Sequence, residues 1–299
     1  MTRFYVLMPT HNRAQLLARA IESVRAQSYS NWELFILDDG STDSTPEVLA
    51  RFSDDPKIHC ARFASNRGVN PARNELLERI LGTGEPGFIV ILDDDDELEK
   101  EALARLAEGA RENPDAKWLI ANCHFPNGER VSQISGDARP LCYVRDHKLG
   151  NALSGDVAHV FHTDLVGDTR FIDRFPNAEE WWFYAGLAKK SRMLPLDFHA
   201  KTVEYLEDGL TRLQPNKDQS ARVYALKLER FDSFLGRADR ASLEARLGRH
   251  LFSKGERGAG LQKLWDAFRH WPFEFRVYTY LLEILLGPIL RPLFSRPRD

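Results

Sequence analysis

Short runs of apolar residues alternate with amphipathic segments through the first two thirds of the chain. Each apolar run has the length of a strand, and each segment between two runs places its apolar residues at helical spacing. This alternation is typical of βαβ units and predicts a mostly parallel sheet with helices on its faces. The predicted strands are residues 4–8, 32–37, 58–63, 88–92, 118–122 and 158–162.

Helices are predicted in the intervals between these strands. Two of them carry clear start signals, because Pro46 follows Thr45 and Pro71 follows Asn70, and proline is tolerated in the first turn of a helix. Residues 123–156 mix Gly, Pro, Ser and Asn with short apolar pieces, which predicts hairpins and a mobile loop. Residues 193–206 are predicted to be extended. The predicted helices are 14–27, a short one from Thr45, 70–81, 98–112 and 179–190.

Beyond Gln219 the pattern is helical throughout. Because 299 residues exceed the usual size of a single domain, we predict an α/β domain over residues 1–214 and a C-terminal helical region over residues 215–299. The aromatic stripes of the second region are compatible with the core of a small helical bundle. They are equally compatible with a surface that contacts anionic lipid together with basic residues. These basic residues are Arg249, Lys254, Arg257, Lys263, Arg269 and Arg276.

Charge and cysteine content narrow the function classes. A formal net charge of -3 gives no basic surplus, so a nucleic-acid-binding protein is not indicated. The three cysteines are odd in number and form no CxxC pair, which argues against a disulfide framework or a zinc site and favours a reducing cytosol. Pro9 interrupts the first apolar run, so no signal peptide is predicted. The predicted location is cytoplasmic, with peripheral contact at the inner face of the membrane as an open alternative.

Three polar segments directly follow three of the predicted strands. They are PTHNR (9–13), DDGSTDST (38–45) and DDDDE (93–97). In an open parallel sheet, ligands bind where loops leave the carboxyl ends of the strands, so these segments are expected to meet at one edge. Four adjacent carboxylates repel one another and destabilise the chain unless a cation offsets them. Mg²⁺ or Mn²⁺ fits this role, since these ions bind through one or two carboxylates together with substrate phosphates.

Each acidic segment also has a purely structural interpretation. Acidic residues stabilise the first turn of a helix, so DDDDE could simply begin the helix that follows it. DDGSTD could be an Asx turn before a capped helix. The convergence of three polar loops on one edge favours a ligand site over both interpretations.

Four motifs in order along the chain identify a family resemblance. PTHNR, DDGSTD, NRGVNPARN (66–74) and LDDDDEL (92–98) resemble the sequence motifs of the family 2 glycosyltransferases, which are inverting enzymes with a GT-A fold. The resemblance covers about residues 3–210. It implies a Rossmann-like sheet that binds a nucleoside diphosphate sugar and a divalent metal ion, Mn²⁺ or Mg²⁺.

The resemblance also implies roles for individual residues. Asp39 would accept a hydrogen bond from the base, and Asp95 and Asp96 are the candidate metal ligands. Arg212 is a further candidate for a diphosphate contact. The residues implied to bind the nucleotide sugar are Pro9, Thr10, Asn12, Arg13, Asp39, Asn66, Arg73, Asn74, Asp93, Asp94 and Asp95.

The sequence Glu179-Glu180-Trp181 resembles the acidic pair with which the family places its catalytic base before an aromatic residue. Glu180 would take the position of the usual aspartate and accept the proton of the acceptor hydroxyl, with Glu179 beside it. The alternative is that both glutamates merely occupy the first turn of a helix. No catalytic role is assigned to His11, His159, His162 or His199, because scattered histidines are mostly ordinary core or surface residues.

The function predicted from these motifs is the metal-dependent, inverting transfer of a sugar from a nucleoside diphosphate sugar, with UDP favoured, to an acceptor hydroxyl. The acceptor would be a saccharide or a lipid-linked sugar in surface-polysaccharide or glycolipid assembly. A sugar nucleotidyltransferase is a rival, but it needs a glycine-rich basic loop where PTHNRAQLL supplies only Arg13. A catalytically silent sugar-nucleotide-binding or scaffold protein is a second rival, which the sequence separates only through Glu180.

Overall fold

The chain divides into two compact units, Met1–Arg212 and Leu213–Asp299. The computed structural model describes residues 1–134, 139–150, 152–173, 179–204 and 217–294, with the backbone alone for 217, 218 and 285–294. The predicted domain boundary after residue 214 and the candidate Arg212 lie outside the described residues. Both stay predictions.

The first unit is built on an eight-stranded mixed sheet with the strand order β3-β2-β1-β4-β7-β6-β8-β5. β1 lies between β2 and β4 and pairs in parallel with both, whereas β7 pairs antiparallel with β4 and β6. The strands are β1 Phe4–Thr10, β2 Trp32–Asp38, β3 Ile58–Arg62, β4 Phe88–Ile91, β5 Glu97–Leu98, β6 Trp118–His124, β7 Val157–His162 and β8 Leu194–Thr202. The α/β fold class predicted from the apolar pattern is confirmed.

Helices cover the two faces of the sheet. All seven residues of β1 are buried, as expected for a strand covered on both faces, and Leu17 and Ile21 of α1 belong to the same apolar core as Val6 and Met8. The helices of this unit are α1 Ala14–Arg25, α2 Thr45–Ala50, α3 Val69–Gly82, α4 Ala102–Glu112, α5 Thr163–Val166 and α6 Trp181–Ala188, with a π-helical turn at Tyr143–Lys148. The sheet and its helices fix where the loops at the carboxyl ends of β1, β2 and β4 emerge.

Two local predictions are corrected. A helix was expected over residues 98–112, but Glu97–Leu98 forms the short strand β5, which pairs with β8, and α4 begins only at Ala102. In the stretch expected to form hairpins, Tyr143–Lys148 is helical. The reason is tertiary in both cases, because each segment is held by a partner distant in sequence. Leu141, just before the helical turn, bridges to Met193.

The second unit contains four helices among its described residues: α7 Lys217–Arg230, α8 Arg237–Lys254, α9 Arg257–His270 and α10 Phe275–Phe294. α8 and α9 pack closely because Gly248 and Gly260 face each other, and a Cβ on either would approach the other's carbonyl oxygen within 2.8 Å. Its small core contains Leu264, Ala267 and Val277. Within the described part of the chain, no helix is both long and apolar enough to cross a membrane.

Candidate active site at the carboxyl edge of the sheet

The aspartates 93–96 form a tight turn between β4 and β5. The amide of Asp96 donates to the carbonyl of Asp93 at 3.1 Å, and α4 begins six residues after this turn. The four carboxylates therefore cap no helix, and the structural interpretation of DDDDE as a helix start is wrong. We call residues 93–96 the aspartate turn.

Two buried cations hold the ends of the aspartate turn. Nζ of Lys201, on β8, lies 2.7 Å from Oδ2 of Asp96, and both side chains are about nine-tenths buried. Nη2 of Arg73, on α3, donates to Oδ1 of Asp93 at 2.8 Å. Burial by itself would lower the pKa of Lys201, but Asp96 and Asp93 hold it well above its usual value. Lys201 is therefore a permanent positive charge within the sheet.

The backbone of the turn is held from a third element. Nη2 of Arg19, on α1, donates to the carbonyl oxygen of Asp95 at 3.2 Å, and its Nε pairs with Glu97 at 2.9 Å. The same guanidinium reaches Glu204 at 2.6 Å. The turn is thus fixed by side chains from α1, α3 and β8.

Asp94 and Asp95 have carboxyl groups with a raised pKa. Burial raises the pKa of Asp94 to about 6, although the Thr10 side chain partly opposes this. Burial and the neighbouring Asp93, Asp96 and Asp94 charges raise the pKa of Asp95 to about 7. No lysine, arginine or histidine among the described residues forms an ion pair with Asp95. Among the four aspartates of the turn, Asp95 is the one whose charge the described residues compensate least.

Backbone amides satisfy most of the carboxylates of the DDGSTD loop after β2, and Nε of Arg62 also pairs with Oδ2 of Asp38 at 3.1 Å. Oδ1 of Asp38 accepts the Ser41 amide at 2.8 Å, and Oδ1 of Asp43 accepts the Thr45 amide at 3.0 Å at the start of α2. Asp39 accepts the amides of Arg67 and Gly68, each at 2.7 Å, with one oxygen each. Asp43 therefore forms an Asx turn, whereas Asp38 bonds the amide three residues on. Asp39, which was expected to bind the nucleotide base, connects this loop to the residues just before α3.

A close approach explains the glycine of this loop. Gly40 has a φ of +70°, and a Cβ there would lie 2.5 Å from the Ser65 carbonyl carbon. A larger residue would push the DDGSTD loop away from residues 65–68, because backbone atoms cannot yield as a flexible side chain can.

The PTHNR segment after β1 is hydrogen-bonded to the DDGSTDST segment after β2. Asn12 adopts a φ of +54°, its Oδ1 accepts the Thr42 amide at 2.8 Å, and its own amide donates to Oγ of Ser41 at 2.9 Å. The Arg13 amide donates to the Thr45 hydroxyl at 3.1 Å. Pro9 and Thr10 are buried at the end of β1, where Thr10 pairs in register with Asp38. These residues stand at the predicted edge and shape it.

Arg73 connects the aspartate turn to the predicted base. Its side chain is 3% exposed, and its Nη1 lies 2.7 Å from Oε1 of Glu180 while Nη2 holds Asp93. Phe171 lies beneath the guanidinium at 5.5 Å. Burial raises the pKa of Glu180, with Asp93 and Asp156 adding to the shift and Arg73 opposing it. Two carboxylates distant in sequence thus share one buried arginine.

The two adjacent glutamates are not equivalent. α6 begins at Trp181, so both precede the helix, and Glu180 makes no side-chain hydrogen bond that caps it. Glu179 instead accepts a hydrogen bond from the indole N–H of Trp181 and has a φ of +26°. Glu180 faces the aspartate turn through Arg73, whereas Glu179 is engaged with its own helix.

Two predicted ligand residues on or near α3 have structural partners. Asn74 donates to the carbonyl of Phe171 at 2.9 Å and accepts its amide at 2.8 Å, so it clamps the backbone before α6. Oδ1 of Asn66 accepts the Gly68 amide at 3.0 Å. These contacts keep Phe171 under Arg73 and position the start of α3.

Sequence reasoning missed Lys201 and Arg19. Lys201 lies in a strand and Arg19 in an amphipathic helix, and neither belongs to a motif. The one available signal was a lysine inside an otherwise largely buried strand. Of the histidines, His159 is buried among Trp118, Tyr143 and Tyr184, with its ring 4.0 Å from that of Tyr184.

The donor atoms at the edge suit a metal ion that is also bound by a ligand. Among the described residues, no group of three His, Cys, Asp or Glu side chains is arranged to hold a metal by itself. A hard cation bound through one or two carboxylates, with phosphate and water completing its shell, needs no such group. Asp95 fits this requirement, since its carboxylate is crowded by like charges, whereas Asp96 already has Lys201 as its partner.

Comparison with known proteins agrees with the motifs. Residues 5–163 match the model of glycosyl transferase family 2. An uncharacterized glycosyltransferase of Haemophilus influenzae is 35% identical over 221 residues, which cover 72% of this chain and 83% of that protein. A GalNAc(5)-diNAcBac-PP-undecaprenol β-1,3-glucosyltransferase of Campylobacter jejuni is 29% identical, covering 58% of this chain and 56% of that protein. The chain thus spans only about half the length of the latter relative.

The fold has solved counterparts. The structure of S. aureus TarS 1-349 in complex with UDP-GlcNAc matches with a TM-score of 0.68 and 19% identity, over 97% of this chain and 86% of that one. This likeness supports the GT-A fold. The family match covers more than half of the chain and includes β1, the DDGSTD loop and the aspartate turn. This chain belongs to glycosyl transferase family 2, as its motifs predicted.

Proposed function

We propose that this protein transfers a sugar from a nucleoside diphosphate sugar to an acceptor hydroxyl, with inversion at the anomeric carbon. The observation that carries the proposal is the placement of Glu180 beside the aspartate turn, with one buried arginine contacting both. In an inverting transfer, the leaving diphosphate lies on one side of the anomeric carbon, and the acceptor with its catalytic base lies on the opposite side. Arg73 fixes the spacing between them.

Glu180 supplies the base. As the acceptor oxygen forms its bond to the anomeric carbon, the bond from that carbon to the diphosphate oxygen breaks, and the acceptor proton passes to the Glu180 carboxylate. Arg73 holds Oε1 and so fixes the direction of the carboxylate. The raised pKa of Glu180 makes it a stronger base than an exposed glutamate.

Asp95 would hold the metal ion, Mn²⁺ or Mg²⁺. When bound, the ion neutralises the charge that develops on the departing diphosphate. Asp96, the other candidate ligand, would instead anchor the turn through Lys201. The residues at the edge of β1 and β2, including Thr10, Arg13 and Asp39, would shape the nucleotide pocket.

The comparisons support UDP as the nucleotide and a lipid-linked saccharide as the acceptor. A UDP-GlcNAc complex is known for TarS, and the Campylobacter relative is described as acting on an undecaprenol-linked sugar. The Escherichia coli relative WcaA, 37% identical over 131 residues, is described as a putative colanic acid biosynthesis glycosyl transferase. We therefore propose a role in surface-polysaccharide or glycolipid assembly, with peripheral contact at the membrane.

The test is turnover of a panel of nucleoside diphosphate sugars by the wild type and the Glu180→Gln variant. Glu180→Gln should reduce turnover by about 10²- to 10⁴-fold, the usual contribution of a general base. Nucleotide binding should be retained, because the amide keeps the size of the carboxylate. Glu179→Gln is the matched control and should keep most of the activity. Unchanged turnover in Glu180→Gln would refute the base assignment, and a wild type that binds donor without transferring or hydrolysing it would favour the silent-scaffold alternative.

A further inference from the structure

Large exposed apolar side chains are concentrated in one part of the molecule. Apart from Met1, every described residue of this kind lies between positions 261 and 282. Phe273 is 80% exposed and Phe275 is 61% exposed, values unusual for phenylalanine in a folded protein. We call the following six residues the aromatic surface: Trp265, Trp271, Phe273, Phe275, Tyr278 and Leu282.

Contacts link four members of the aromatic surface to one another or to the turn between α9 and α10. Trp265 stacks on Phe268 at 5.4 Å, and Phe268 meets Tyr278 of α10 edge to face at 6.5 Å. The Tyr278 hydroxyl donates to the carbonyl of Pro272 at 2.6 Å, which links α10 to the turn after α9. Trp271 and Phe273 lie 5.5 Å apart within that turn. Contiguous apolar patches of this kind mark contact sites, whereas scattered single residues do not.

These side chains are not the core of the helical unit. The core of α8, α9 and α10 consists of Ala241, Ala245, Leu264, Ala267 and Val277, which are all at most 2% exposed. Trp265 follows Leu264 directly, and Tyr278 follows Val277, so these two aromatic side chains lie outside the core residues beside them. Phe268 and Tyr280 are the aromatic residues of these helices that pack against the core. The core is therefore complete without the aromatic surface.

Charge indicates what covers this surface. The second unit contains sixteen lysines and arginines against ten acids, a formal charge of +6, whereas the first unit contains twenty-five against thirty-four, a formal charge of -9. The hairpin of α9 and α10 contains three acids, and each is paired with a cation. Asp266 pairs with Lys263 at 2.9 Å, Glu274 with Arg276 at 2.8 Å and Glu283 with Arg249 at 2.9 Å. Arg269, at the end of α9, is exposed.

We propose that the aromatic surface docks on an anionic phospholipid membrane, with Trp271, Phe273 and Phe275 entering the headgroup region. Trp and Tyr combine an apolar ring with a polar atom and favour the membrane interface, and nearby arginines are attracted to anionic headgroups. The inference rests on the proposed function in one respect, since a lipid-linked acceptor is presented at such a surface. A helix pair lying on the membrane would place the catalytic unit beside that acceptor.

The test is sedimentation of the full-length protein with phosphatidylcholine vesicles that contain or lack phosphatidylglycerol. The wild type should sediment with the anionic vesicles, and added salt should weaken its binding. The double variant Trp271→Ser/Phe273→Ser should bind at least about tenfold more weakly, a factor that corresponds to about 1.4 kcal/mol. Both side chains are exposed and lie outside the helical core, so circular dichroism and thermal unfolding should be unchanged.

A charge reversal supplies the matched comparison. Arg269→Glu should weaken binding to anionic vesicles, whereas Arg111→Glu, the same change on the exposed face of α4, should not. Equal sedimentation of the wild type and the double variant would refute the proposal. A concentration-dependent dimer in light scattering that the double variant abolishes, without vesicle binding, would assign the surface to a second copy of the chain.

The membrane-docking proposal and the proposed function can fail independently, and the experiments distinguish the two failures. Turnover of donor with a short water-soluble acceptor should be the same in the wild type and in Trp271→Ser/Phe273→Ser. Loss of vesicle binding with retained turnover is expected of this variant. A wild type that binds vesicles but transfers no sugar would refute the proposed function alone.

Discussion

Two acidic loops leave adjacent regions of the same sheet edge, yet they are held in different ways. In the DDGSTD loop, Asp38 and Asp43 accept amides of their own segment, and Asp39 accepts the amides of residues 67 and 68. A cation also contacts this loop, since the half-exposed Arg62 pairs with Asp38 at 3.1 Å. In the aspartate turn, Asp93 and Asp96 are paired with buried cations from α3 and β8, and Asp95 keeps a raised pKa. We propose that the first loop serves mainly as scaffold and that Asp95, in the second, is available to an external cation. Similar composition does not imply a similar role.

The largest effect on stability is expected from Lys201→Met. The change leaves Asp96 as a buried carboxylate without its partner, and breaking a buried ion pair in this way costs about 3–5 kcal/mol. Denaturant unfolding would measure the loss. The double variant Lys201→Met/Asp96→Leu should recover most of it, because no charge is then left buried. If Lys201→Met were neutral, the aspartate turn would not depend on its cation.

A smaller loss is expected from Asp39→Ala in the scaffold loop. The variant removes both acceptors of the Arg67 and Gly68 amides, and each hydrogen bond to a charged group contributes about 1.5–3 kcal/mol. Because Arg67 is exposed and Gly68 half-buried, water can hydrate the freed amides, and we expect a net loss of about 2–3 kcal/mol. The loss should be the same with and without Mn²⁺. A metal-dependent loss would contradict the assignment of this loop to the scaffold.

Asp95→Asn should increase the free energy of unfolding, in contrast to the two preceding variants. Because Asp95 is crowded by like charges, its removal should stabilise the metal-free protein at pH 7 by on the order of 1–2 kcal/mol, after screening of a partly exposed group. The same variant should lose Mn²⁺-dependent nucleotide binding, measured by calorimetry. A destabilised Asp95→Asn protein would place this residue with the scaffold.

The pH dependence follows from the same shift. A carboxyl whose pKa is about 7 in the folded protein and about 4 in the unfolded chain binds more protons when folded, so its contribution lowers stability as pH rises between these values. The Asp95→Asn variant should show a shallower decline over this window in metal-free thermal unfolding. Identical profiles would mean that Asp95 titrates normally.

The smallest effect on stability is expected at Asn12, which connects the loop after β1 to the loop after β2. Asn12→Ala and Asn12→Gly both remove the acceptor of the Thr42 amide, but only glycine adopts the observed φ of +54° without strain. The glycine variant should therefore be more stable than the alanine variant by about 1 kcal/mol. Equal stability would show that this backbone conformation relaxes freely.

Some elements could be predicted because local pattern and tertiary environment agree. β1 is apolar throughout and is buried throughout, and Pro46 and Pro71 stand in the first turns of α2 and α3. The strand β5 could not be predicted, because two residues form it only through β8, which lies about a hundred residues away. The ion pair between Asp96 and Lys201 could not be predicted for the same reason, because the two residues are 105 positions apart in the sequence.

For the site, the motifs identified the edge but not the function of each residue within it. Four aspartates in sequence are compatible with a helix cap, a metal site or an ion-paired turn, since each alternative satisfies carboxylates. Glu179 and Glu180 are likewise indistinguishable by pattern. The fold separates them, because Arg73 reaches Glu180 while Trp181 engages Glu179.

The sequence by itself determined the family, the α/β class and the residues that stand at the ligand-binding edge, because periodicity and strand-end motifs are local properties of the chain. Only the tertiary structure decided which aspartates of the turn have a buried cationic partner, because these cations come from α3 and β8. It also decided that the residues of the aromatic surface are exposed, whereas Phe268 and Tyr280 pack against the helical core. Burial and charge pairing depend on contacts between distant segments, and no local pattern records them.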